Sequence, residues 1–76
     1  MNEYPRITFN PQIMGGKACI RGMRVTVGMV IGLLSEGIGY EEILAAYPYL
    51  EREDIIESIA YTASKAREHD ASLQVA

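Results

Sequence analysis

Three apolar pairs, each five positions apart, punctuate the chain: Val25 with Val30, Ile38 with Ile43, and Leu50 with Ile55. The first member of each stands just before a helix cap and the second one turn inside, the arrangement of a hydrophobic staple. Three helix starts follow from that pattern. The first helix takes Thr26 as its N-cap, carries a stripe of Val27, Val30, Ile31 and Leu34, and stops at Gly37, because glycine accepts the left-handed conformation at a helix end. The second runs from Tyr40 to Tyr47 behind a weak cap, Gly39. Pro48 ends it, since the residue before proline is disfavoured in the helical region. The third begins near Arg52, sets Ile55, Ile59, Ala63 and Ala66 on one face with Ile56 and Ala60 beside them, and ends near Glu68.

Upstream, the period changes. Ile7 to Phe9 reads as a short strand, Asn10-Pro11 as a turn, Gly15-Gly16 as a second turn, and Ala18-Cys19-Ile20 as a second strand. The expected architecture is one mainly α domain over residues 1–76, with a strand arm over 1–25, a trihelical bundle over 26–70 and a frayed tail over 71–76. The last two helices, joined through Pro48-Tyr49-Leu50, have helix-turn-helix spacing. Gly28 and Gly32 share a face of the first helix, where each glycine is disfavoured by ~1 kcal/mol relative to alanine. That face is read as a place of close backbone approach, by a strand of the same chain or by a second protomer. Unpaired strand edges in the arm invite pairing between two chains, so a homodimer is expected.

Composition narrows the class. The chain has 76 residues, 49% of them apolar, and its aromatics are five Tyr and one Phe, which implies a small aliphatic core rather than a disordered segment. Its single cysteine excludes an internal disulfide, and no N-terminal stretch has the form of a secretory signal, so a cytoplasmic location is expected. The longest apolar stretch, from Val25 to Leu34, falls well short of the ~18 residues of a membrane span. Net charge is −3 but unevenly placed: Arg6, Lys17, Arg21 and Arg24 face only Glu3 within residues 1–28, and the acidic residues dominate after that.

Candidate chemistry is sparse. One His, one Cys and scattered carboxylates do not make a convergent catalytic set, so neither an enzyme nor a metal or cofactor site is expected. His69 suits the negative end of a helix dipole, and Cys19, between Ala18 and Ile20, reads as a small buried hydrophobe. Gly15-Gly16-Lys17 lacks the spacing of a phosphate-binding loop and leads into a strand, so it reads as a turn. A helix-turn-helix reader sets the start of its second helix against DNA, yet here that segment carries Glu51, Glu53, Asp54 and Glu57 around Arg52, and carboxylates are repelled by phosphate. Any contact with DNA therefore falls to Arg6, Lys17, Arg21 and Arg24 on the strand segments.

The run Ile7-x-x-Asn10-Pro11-x-Ile13-x-Gly15-Gly16-Lys17-x-x-Ile20-Arg21-Gly22-x-Arg24-Val25-x-Val27 resembles the opening of the domain of unknown function family 433. Gly37, Glu41-Glu42-Ile43-Leu44, Tyr47-Pro48-x-Leu50 and Glu53-Asp54-Ile55 are similar to its helical half in order and spacing. The sequence departs from the family pattern at Ala18-Cys19, where Pro-Val is usual, at Met23 in place of Thr, and at Gly39 and Glu51 in place of Ser or Thr caps. The resemblance implies a homeodomain-like, three-helix fold and a VapB-like antitoxin that neutralises a PIN-like ribonuclease toxin and also binds operator DNA. Arg21, Gly22, Arg24 and Lys17 are then the expected partner-binding residues, with the two arginines reaching metal-binding carboxylates of the nuclease. A stand-alone dimeric DNA-binding regulator is the alternative. Arg21 and Arg24 bridging to acidic helices of their own chain, for instance to Glu53 or Glu57, is the non-functional reading of the same charges.

Overall fold

A computed structural model describes residues 3–75. The chain forms two short strands, β1 (Ile7–Thr8) and β2 (Cys19–Ile20), followed by three helices, α1 (Val27–Ser35), α2 (Tyr40–Ala46) and α3 (Arg52–Val75). This is the mainly helical bundle with an N-terminal strand segment that the staples and turn residues predict. No helix among the described residues is long and apolar enough to cross a membrane.

The strands pair with each other. β1 and β2 run antiparallel with Ile7 opposite Ile20 and Thr8 opposite Cys19, and a bridge from Cys19 to Thr26 extends the ribbon to the start of α1. The exchange of strands between two chains thus loses its premise, because each strand already has an intramolecular partner. Nor is this segment a projecting arm: Ile7, Cys19 and Ile20 are buried, and Ile7 and Ile20 pack into one core with Val25, Val27, Val30, Ile43, Leu50 and Ile55. Five of the six staple residues lie in that core, so the same side chains that set the helix starts join the helices to one another.

Local signals place the helix ends. Thr26 Oγ1 accepts the Met29 N–H at 3.0 Å, capping α1. At its other end Gly37, at φ 88°, donates to the Leu34 carbonyl while Ile38 donates to that of Leu33, the paired bonds of a Schellman motif. The Leu50 N–H reaches the Tyr47 carbonyl across Pro48 and closes the tight link into α3.

Two expectations for α3 fail. The helix continues to Val75 rather than ending near Glu68; Ala76 lies outside the described residues. Residues 69–75 contain neither glycine nor proline, and Ala71, Leu73 and Gln74 are good helix formers, so nothing stops the hydrogen-bond ladder. The buried face also differs. Asp54, Ile55 and Ser58 are inside, whereas Ile56 and Ile59 remain 48% and 38% exposed. An apolar stripe and a polar pair compete for the interior here, and the polar pair wins because its hydrogen bonds are all made within the fold.

Candidate functional site

The basic residues of the N-terminal half divide into an inward and an outward set, and hairpin geometry makes the division. Register β1 on β2 brings Arg6 beside Arg21, whose N–H donates to the Arg6 carbonyl at 2.7 Å. After β2 the chain reverses through Ile20–Met23, closed by the Met23 N–H on the Ile20 carbonyl at 2.8 Å. Its central residues, Arg21 at φ 45° and Gly22 at φ 74°, are both left-handed, as a type I′ turn demands. Glycine takes that conformation freely. Arginine does not, and its presence there needs a compensating interaction.

Asp54 supplies it. The Arg21 Nε donates to Asp54 Oδ1 at 3.1 Å and its Nη2 to Oδ2 at 2.9 Å, a forked pairing, while the same Nη2 reaches the Tyr49 carbonyl at 2.9 Å. Arg6 Nη1 is shared between Asp54 Oδ1 at 2.8 Å and Glu51 Oε1 at 2.7 Å. The Arg6 backbone N–H is held by Glu57. Asp54 Oδ2 also accepts the Glu51 N–H at 2.8 Å, so the third residue of α3 reaches back to cap the helix that it belongs to.

The Asp54 side chain is wholly buried, with both oxygens occupied. Burial alone pushes its carboxyl up; the hydrogen bonds from Arg21, the Glu51 amide and Arg6 outweigh that effect and hold it below the ordinary carboxylate value. A carboxylate saturated by donors is a poor base and a poor metal ligand. Its work is mechanical: it ties the hairpin, the α2–α3 link and the first turn of α3 at one point. The guanidiniums of both arginines reach the start of α3, Arg21 through Asp54 and Arg6 through Asp54 and Glu51, whereas Glu53 or Glu57 is the partner expected for Arg21 and Arg24.

Lys17 and Arg24 point the other way. Both are exposed, and neither makes an ion pair among the described residues. Arg24 lines a shallow hollow of about 380 Å³ with Gly22, Met23, Val25 and Tyr49, and the Tyr49 side chain is 52% exposed. Tyr49 packs edge-on against Tyr47 at 6.1 Å between ring centroids, which limits its freedom on the surface. Met14, Gly15 and Gly16 form a left-handed turn leading into the extended Lys17, with the Gly16 and Lys17 N–H groups donating to the Ile13 and Met14 carbonyls. Those amides are committed to the turn and do not cradle an anion.

The sequence groups Arg6, Lys17, Arg21 and Arg24 as one outward basic surface, whereas the structure ties Arg6 and Arg21 to Asp54, and neither Asp54 nor Tyr49 stands among the site residues expected from the sequence. Glu51-x-x-Asp54 has the three-residue separation of a capping box, the one signal that marks Asp54 as turned inward. Tyr49 carries no comparable signal, since a tyrosine after proline in a helix link is ordinary.

Residues 7–62 match the family described as Protein of unknown function (DUF433). A crystal structure of a DUF433 member from Anabaena variabilis is similar over 91% of this chain and 68% of its own, at 29% identity and a TM-score of 0.76. No curated protein matches the chain. The matched span holds Arg21, Arg24, Tyr49 and Asp54, so the Arg21–Asp54 half of the lock and the outward corner fall within the shared domain, and Arg6 lies one residue before it.

Proposed function

We propose that this chain, which belongs to the DUF433 family, is a binding protein of the antitoxin type that neutralises a PIN-like ribonuclease, and that its contact surface is the corner formed by Arg24 and Tyr49. The observation that carries this reading is the exposed pairing of an arginine with an anchored tyrosine around the hollow floored by Met23 and Val25. Tyr and Arg dominate binding hot spots, because a rigid ring and a forked cation give large contact for little lost freedom. Arg24 brings a cation without an acidic partner among the described residues, and the resemblance to VapB-like antitoxins supplies the complementary anion, a carboxylate cluster of a PIN-like nuclease.

Arg21 takes a positioning role in this scheme. It fixes the turn from which Gly22, Met23 and Arg24 are presented, and Lys17 adds positive charge at the surface. Operator DNA is the weaker partner: of the four cations proposed to face phosphate, Arg6 and Arg21 are already neutralised by Asp54 and Glu51, and few charges remain to release counterions.

Inspection of the neighbouring genes for a PIN-like ribonuclease, followed by co-expression with it, tests the proposal. Wild type is expected to protect cells and to suppress RNA cleavage by the purified nuclease, and the Arg24→Ala/Tyr49→Ala variant, folded by circular dichroism, to lose at least about tenfold in inhibition. A genome with no such neighbour, or full inhibition by the folded double variant, overturns it.

A further inference from the structure

α3 leaves at the surface the apolar face that its sequence repeats. Ile56, Ile59, Ala63 and Ala66 recur at intervals of three, four and three residues, the spacing of a coiled-coil seam. The core of the chain uses a different face, through Asp54, Ile55 and Ser58, so this stripe is a second one on the same helix. Its Ile59, Ala63 and Ala66 line, with Ile31, Leu34 and Ser35 of α1, an apolar groove of about 490 Å³. Gly32 on that side of α1 has nothing within 4 Å of where a Cβ would stand, and Gly28 meets only Thr26 Oγ1 at 3.8 Å, so no backbone of this chain approaches either glycine.

We infer that a second copy of this chain covers the groove, its α3 running antiparallel to the first. Large and small residues decide the direction. The two bulky members of the seam, Ile56 and Ile59, lie at one end and the two small ones, Ala63 and Ala66, at the other. Antiparallel pairing sets Ile56 against the second copy's Ala66 and Ile59 against its Ala63, filling each layer with one large and one small side chain; parallel pairing sets isoleucine on isoleucine and leaves the alanine layers hollow.

Charge makes the same choice. Continuing the repeat outward by four residues at each end reaches Arg52 and Asp70, which antiparallel pairing brings opposite each other, and the flanking Glu53 comes to the second copy's Arg67. Parallel pairing instead opposes Arg52 to Arg52 and Asp70 to Asp70. Arg52 lies over the Tyr40 ring at 4.7 Å, which steadies it without using its hydrogen bonds on a carboxylate, and Glu53, Arg67 and Asp70 make no ion pair among the described residues. The seam from residue 52 to residue 70 is about 27 Å long. It shares no residue with the Arg24–Tyr49 corner, so a dimer formed this way leaves both corners available.

Sedimentation equilibrium of the full chain is the first test: a dimer is expected at about 50 μM, and a monomer persisting at about 200 μM overturns the inference. Exposed charges give variants that do not threaten the fold. Glu53→Arg, which opposes two cations, is expected to weaken the dimer about fivefold at low salt, and E53R/R67E to restore it; failure of the double variant to recover overturns the pairing. Direction is read by disulfide cross-linking, for which the buried Cys19 does not compete. Ala66→Cys is expected to cross-link when mixed with Ile56→Cys and not with itself, whereas self-linking of A66C contradicts the antiparallel arrangement.

Discussion

Asp54 is the residue on which most of this molecule's geometry turns, and its replacement separates electrostatics from packing. Asp54→Asn keeps the shape but leaves the Arg21 and Arg6 guanidiniums facing a neutral amide, so thermal unfolding is expected to show a loss of about 2 kcal/mol or more. The pH dependence has a definite sign. Because the folded carboxyl lies below its ordinary value, Asp54 contributes stability throughout neutral pH, and that contribution drains away as pH falls below about 4 and through the depressed folded value. Urea titrations across that range are expected to show a shallower acid loss for D54N than for wild type; equal slopes contradict the assignment. At Arg21 the backbone and the side chain oppose each other. Arg21→Gly relieves the left-handed φ while Arg21→Ala does not, so glycine is expected to be the milder substitution by melting temperature. None of this was visible in the arginine's position between Ile20 and Gly22, since a sequence does not say which way a turn residue points until the strand register is known.

At the scale of elements, the helix boundaries were the most legible feature, because each rests on local chemistry. Thr26 acts through a side-chain cap and Gly37 and Pro48 through backbone conformation, none of which needs tertiary context, and the structure uses all three. Thr26→Ala and Gly37→Ala are each expected to destabilise by about 1 kcal/mol in chemical denaturation, the first through a lost cap and the second through a strained left-handed alanine. A Gly37→Ala protein as stable as wild type would show that the Schellman bonds contribute little. The face of α3 was illegible for the opposite reason. The stripe of Ile55, Ile59, Ala63 and Ala66, with Ile56 beside it, promises burial, but the hairpin carries two arginines that must be neutralised, and turning Asp54 inward to meet them keeps Ile55 in the core while Ile56 and Ile59 come to the surface. Pairing of β1 with β2 within the chain, in place of strand exchange, follows from the same packing: Ile7 and Ile20 enter the core together.

For the whole molecule, the three helices and the hairpin form a scaffold with its charges sorted. Arg6 and Arg21 are consumed in holding the hairpin to α3, and Arg24 is left at the surface beside Tyr49, three residues along the chain from Arg21. Composition alone presents these cations as one basic patch; the fold turns Arg6 and Arg21 onto Asp54 and Glu51 and leaves Arg24 exposed, with no ion pair among the described residues. That separation is the central claim, and it is tested most directly by measuring Arg21→Ala and Arg24→Ala side by side in two assays, melting temperature and inhibition of the PIN-like ribonuclease proposed as the partner, at a temperature where both variants are folded. Arg21→Ala is expected to melt below wild type yet keep inhibition within about threefold, whereas Arg24→Ala melts like wild type and loses at least about tenfold in inhibition. The reverse pattern, with inhibition lost on removing Arg21 from a folded protein and untouched by removing Arg24, contradicts the account.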